Sequence, residues 1–216
     1  MPFRVRNIRF SVLLVLTVLL ILVAPFLREF VRIQLIMDIV TTAILVAAIW
    51  ATGERKHQAA ISFGLALPFL ALTWVNYAIH NDLVTLMAHL VGILFFGYVI
   101  YSILKFITET KIVTREVIFA AIVSYLFIAV IWAYGYSALE LLKPGSFRVP
   151  EDAFQGGGSQ FIYFSIITLT TLGYGDITPL TQQAGSLSAV EALVGQIYLV
   201  VLVAWLVGMY VSRKSR

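Results

Sequence analysis

Six apolar runs, each close to the length that crosses a bilayer, leave this chain few folds to choose from. They cover Phe10–Leu27, Ile33–Ala51, Ala59–Ile79, Leu83–Leu104, Val117–Ala138 and Leu187–Val211. A spanning helix needs about 20 predominantly apolar residues, because a rise of about 1.5 Å per residue must cover a hydrocarbon core about 30 Å thick. Of the 216 residues, 61% are hydrophobic and 12% charged, which is too apolar for a soluble domain of this length. The expectation is an all-α membrane protein with six transmembrane helices.

A seventh apolar segment, about Ser159–Thr170, is too short to cross and reads as a half-helix that enters the membrane and returns. It runs into Thr-Leu-Thr-Thr-Leu-Gly-Tyr-Gly-Asp at residues 168–176. Gly173 and Gly175 allow torsions that a Cβ resists, so consecutive carbonyls can face one axis. Thr171 adds a hydroxyl at the inner end of that row. Before the half-helix, residues 143–159 are rich in Pro and Gly and read as an exposed turret, with Ser159 placed to cap the helix.

This motif between two spanning segments resembles potassium channel subunits of the tetrameric pore-loop (voltage-gated-like) superfamily, most closely prokaryotic six-transmembrane members. The resemblance covers about residues 112–212. It implies a selectivity filter at Thr171, Leu172, Gly173, Tyr174 and Gly175. Rings of oxygens from Thr171, Leu172, Gly173 and Tyr174 would replace the water around a permeant K+ ion, the known mechanism of potassium filters. It also implies a re-entrant pore helix. The motif occurs once, whereas related uptake transporters carry four degenerate pore loops, so the ring would be a cyclic homotetramer. Residues 1–110 would be a four-helix peripheral domain, and residues 111–216 the pore domain. The join from Lys105 to Arg115 fits a short interfacial helix or a solvated loop.

The same resemblance assigns supports around the filter. Tyr163 and Phe164 match pore-helix aromatics that bond the filter tyrosine and the following aspartate; Tyr163 could reach Asp176, while Phe164 has no donor. Asp176 would brace the filter or concentrate cations at its mouth. Leu172 stands where the family has valine, and Ile167 where one subset has a glutamate. Glu191, inside the last run, is costly there without a partner. It is expected behind the filter or at the cavity top, bonding Thr168 or Thr170 or adding negative potential, or else as a structurally satisfied glutamate. Gly195, 19 residues after Asp176, matches the family's gating hinge; a small-residue helix contact is the alternative. Val203 and Trp205 fall near the family's inner constriction.

Charge placement sets topology. With both termini cytoplasmic, eleven of the fifteen Lys and Arg residues fall inside, in the clusters Arg4–Arg9, Arg55–Lys56, Lys105–Arg115 and Arg213–Arg216. Arg28, Arg32, Lys143 and Arg148 fall outside, with residues 139–185. The net charge of +4 thus reports topology in a lipid bilayer, and no nucleic-acid partner is expected. The localisation expected is the plasma (inner) membrane, multi-pass. A cleaved signal peptide fits poorly, since Pro25-Phe26-Leu27-Arg28 has no small-residue site.

From Leu83 to Leu104 there is no Lys or Arg. A voltage sensor needs several, since each charge moved contributes about 2.3 kcal/mol per 100 mV, so the expectation is weak voltage dependence. Asp38, Asn76 and His80 are a candidate polar cluster of helices two and three, and Pro68 should kink helix three. With no cysteine, thiolate sites are excluded. No nucleophile–base pair or nucleotide loop is present, so no enzyme is expected. No organic cofactor is expected either, and a cytoplasmic regulatory partner is not visible. Passive potassium conduction is the leading reading, with a nonselective cation channel or a non-conducting regulatory subunit as alternatives.

Overall fold

The computed structural model describes residues 8–26, 33–53, 56–110, 112–150 and 159–214. Among these, seven helices run α1 Arg9–Phe26, α2 Ile33–Thr52, α3 Lys56–Ile79, α4 Asp82–Glu109, α5 Arg115–Leu142, α6 Ser159–Leu169 and α7 Gln182–Lys214. Two short strands, β1 Phe147–Arg148 and β2 Thr178–Pro179, flank α6. Among the described residues, four helices are long and apolar enough to cross a membrane: α4, α5, the His57–Ile79 part of α3 and the Gln182–Met209 part of α7. The described apolar stretches of α1 and α2, Arg9–Leu22 and Ile39–Thr52, are shorter.

Side-chain caps set where α4 and α5 begin. Asn81 accepts from the Leu83 and Val84 amides at the start of α4, and Thr114 from Val117 at the start of α5. Among the described residues, the join between α4 and α5 forms no separate helix. The last turn of α4 takes up Lys105–Glu109, and Thr110 ends it by donating its amide and hydroxyl to Phe106 O at 3.2 and 2.7 Å.

The α3–α4 connection is a two-residue turn, His80–Asn81. His80 holds a φ of 50° and ends α3 in the left-handed region. Asn76 Oδ1 accepts from the Thr85 hydroxyl at 2.9 Å and the Asn81 amide at 3.3 Å. Asn76 thus braces this turn, and His80 is exposed. The Asp38 and Ser159 side chains and turret residues 151–158 lie outside the described residues. Pro68 sits within α3, which continues through it.

One apolar cluster joins the first helices to the pore half. It runs from Phe10 and Leu13 through Leu45, Phe69, Phe95 and Val99 to Val117, Val123 and Phe127. Phe96 meets Phe127 edge-on at 4.8 Å between ring centres. At one end of this core Glu116, in the first turn of α5, accepts from the Phe10 amide at 2.8 Å and the Ser11 hydroxyl at 2.6 Å. That satisfies an orphan donor in the first turn of α1 and ties α1 to α5. A second cluster, with Tyr136, Phe147, Phe161, Phe164 and Ile177, lies between α5, α6 and the β-ribbon.

The ribbon pairs the segment before α6 with the one after the filter loop, Phe147 opposite Pro179 and Arg148 opposite Thr178. Glu140 shapes its entry by accepting from the Gly145 amide at 2.7 Å and the Phe147 amide at 3.2 Å. The loop's exit is therefore fastened to the α5 end.

Candidate functional site

The loop expected to form the filter, residues 171–175, begins as the closing turn of α6. The Thr171 amide donates to Thr168 O at 2.9 Å, and the Leu172 amide to Ile167 O at 2.9 Å; Gly173 also reaches Ile167 O at 3.1 Å. The first two bonds are the pair that ends a helix on a left-handed residue. Glycine usually fills that place. Here it is Thr171, with φ of 59°. A left-handed threonine costs about 1–2 kcal/mol, and it puts a hydroxyl where glycine has none.

Positive φ then recurs at every second residue: Thr171, Gly173 at 53° and Gly175 at 78°, with Leu172 and Tyr174 outside that region. Alternating hand brings successive amides to one side of the chain, which leaves the carbonyls for the other. Residues 171–175 are all exposed on the isolated protomer, Tyr174 by 68%.

The outer end of the loop is clamped. Tyr163 of α6 donates its hydroxyl to Asp176 Oδ2 at 2.6 Å, and Asp176 Oδ1 accepts the Ile177 amide at 2.9 Å. The Tyr163 bond holds the Asp176 carboxyl below the ordinary carboxylate range, against the opposing pull of desolvation. The charged clamp is therefore complete at neutral pH and is lost as pH falls through that lowered value. Tyr163→Phe is expected to raise the Asp176 pKa, so that current declines at a higher pH than in wild type. Recording current while the pH on the face bearing Asp176 runs from 7 to 4 checks this; superimposable profiles would contradict it. Phe164 packs on Tyr136 and Phe147, with ring centres at 5.0 and 5.5 Å, and Ile167 is buried.

Glu191 does not bond Thr168 or Thr170. It is fully buried, and its carboxyl accepts the hydroxyls of Tyr136 in α5 and Ser165 in α6. Thr170 is exposed and donates back to Ile166 O at 2.7 Å, a bond within its own turn. The correction follows from register. Glu191 lies level with Ser165, and one turn on along both helices Gly195 lies level with Leu169. Glu191 is thus a turn short of Thr168 and Thr170 along α6, and it joins α5, α6 and α7.

Gly195 makes the closest approach. A Cβ built there would lie 2.1 Å from Leu169 O and 3.0 Å from Leu169 C. Leu169 O also accepts the Tyr125 hydroxyl at 3.1 Å. The next residue, Gln196, donates from Nε2 to Thr171 Oγ1 at 3.2 Å. Helix α7 continues through this point, so the contact explains the glycine without a bend. Sequence reasoning passed over Tyr125, Tyr136, Ser165 and Gln196. Only Gln196 left a signal, as an amide inside an apolar run. Trp205 donates to Met209 Sδ at 3.1 Å and is partly exposed.

These parts form one unit: an outer helix, a short helix ending in a loop of alternating hand, and a long inner helix. Residues 112–212 match the ion channel family. The match begins just before α5 and ends within α7, so it covers this unit, and similarity to an ion channel domain supports ion conduction in general. No curated protein and no solved structure matches the chain.

Proposed function

We propose that the protein is a potassium-selective channel that conducts K+ passively through the backbone of residues 171–175. The observation that carries this reading is the alternating positive φ at Thr171, Gly173 and Gly175, on a loop anchored at both ends. Four such loops around an axis would supply stacked rings of carbonyl oxygen, with the Thr171 hydroxyls at the inner end. Exposure of Tyr174, Leu193 and Ile197 on the isolated protomer supports a homotetramer, since these residues would then face neighbours or the pore.

In this reading α1 to α4 form a collar against α5, in a plasma-type membrane with both termini cytoplasmic. The only Lys or Arg in α4 is Lys105, in its last two turns, which supports weak voltage dependence. Gating at Gly195, if it involves bending, would have to break the Leu169 contact.

Potassium-loaded proteoliposomes diluted into sodium buffer test the path. The wild-type protein should release potassium. Gly173→Ala places a Cβ at φ of 53°, a strain of about 1–2 kcal/mol per subunit. It should slow release by about tenfold or more while the protein still elutes at the wild-type size. Undiminished release from Gly173→Ala would remove the backbone path.

A further inference from the structure

We infer that Gln196 is a positioning residue for the innermost ion site, acting through the Thr171 hydroxyl. This rests on the potassium-channel reading above and adds to it a residue outside the filter loop.

The argument begins with the close approach of two backbones. Because residue 195 lacks a Cβ, α7 can sit against the Leu169 carbonyl, where a methyl group would lie 2.1 Å from the oxygen. That approach carries the following side chain to the loop, and Gln196 Nε2 stands 3.2 Å from Thr171 Oγ1. A threonine hydroxyl has one proton and two lone pairs. With the Gln196 amide on one lone pair, the proton must turn elsewhere and the second lone pair stays open as an acceptor. A cation at the inner end of the filter needs acceptors there, because selectivity depends on the number and field of the oxygens around it.

Without the amide, the Thr171 hydroxyl can rotate and present its proton where a lone pair was needed. The strained φ of Thr171 makes the arrangement sensitive, since the residue is held by its surroundings and not by its own preference. A shift of α7 along α6 would also withdraw the amide. The inner helix is therefore coupled to the innermost ion site by one hydrogen bond per subunit.

The test is the potassium-over-sodium permeability ratio, read from reversal potentials of the full chain in bilayers. Wild type, Gln196→Met, Thr171→Val and the double variant are compared. Gln196→Met, close in shape and without the donor, should lower the ratio about fivefold, the order of one neutral hydrogen bond. The double variant should match Thr171→Val within about twofold, because the glutamine acts only through that hydroxyl. An unchanged ratio in Gln196→Met, or losses that multiply in the double variant, would overturn the inference and leave the channel reading intact. If Gln196→Met fails to assemble, Gln196→Asn, one methylene short, must show the loss; a wild-type ratio there overturns the inference equally. A wild type with no potassium preference would instead overturn the parent reading, and this one with it.

Discussion

Gly195→Ala is expected to destabilise the protein, although alanine is the better helix former by up to about 1 kcal/mol. The new methyl group would lie 2.1 Å from the Leu169 carbonyl oxygen. That neighbour is backbone, already fixed by the end of α6 and by the Tyr125 hydroxyl. Relief requires α7 to move outward, and overpacking of this kind costs about 1–3 kcal/mol. The strain outweighs the helix gain by up to about 2 kcal/mol, so the melting temperature in detergent should fall by up to about 4–8 °C, and current should fall with it as Gln196 is drawn off Thr171. A hinge role also lowers current, through fewer openings, but leaves stability unchanged or higher. Melting and open probability measured together on Gly195→Ala therefore separate the two roles.

Glu191→Ala should be more damaging than Glu191→Gln by a wide margin. Glu191 is fully buried and holds α5, α6 and α7 together through Tyr136 and Ser165. Alanine takes the buried Tyr136 hydroxyl's acceptor away, at about 1–3 kcal/mol, leaves Ser165 only its bond to Ala129 O, and opens a cavity of the size that costs about 2–5 kcal/mol besides. A loss of at least about 3 kcal/mol corresponds to about 6–12 °C in melting temperature.

Glutamine can keep the frame. Ser165 has one hydroxyl proton and also lies 2.8 Å from Ala129 O. A glutamine amide at 191 can donate to Ser165, freeing that proton for Ala129, while its carbonyl accepts from Tyr136. Glu191→Gln should therefore stay within about 1 kcal/mol of wild type and keep its conductance. Near-normal melting of Glu191→Ala would show that the three-helix junction does not depend on this side chain. A collapse of conductance in a stable Glu191→Gln would restore an electrostatic role for its charge.

The helices were legible because apolar length and flanking polar residues are local properties. The predicted Ser159–Thr170 segment and the observed α6, Ser159–Leu169, differ by one residue. The left-handed positions at 173 and 175 were legible through their glycines, and the Tyr163–Asp176 pair through a family resemblance. What stayed hidden was register between helices. Nothing in a sequence states that Glu191 lies level with Ser165, because one turn of sliding along α6 leaves every periodicity unchanged. Tyr136 and Ser165 were unreadable for the same reason. Thr171 was expected to face an ion through its hydroxyl, but its place as the left-handed end of α6 was hidden, since threonine rarely fills that place. The shared core across α1 to α5 was hidden too, because continuous apolar runs do not reveal which face meets protein and which meets lipid.

The most direct measurement is the reversal potential of the purified protein in a planar bilayer, with potassium on one side and sodium on the other. A value close to the potassium equilibrium potential is expected if the row of oxygens from Thr171 to Gly175 replaces the ion's water. Measurable current reversing near zero would contradict that account.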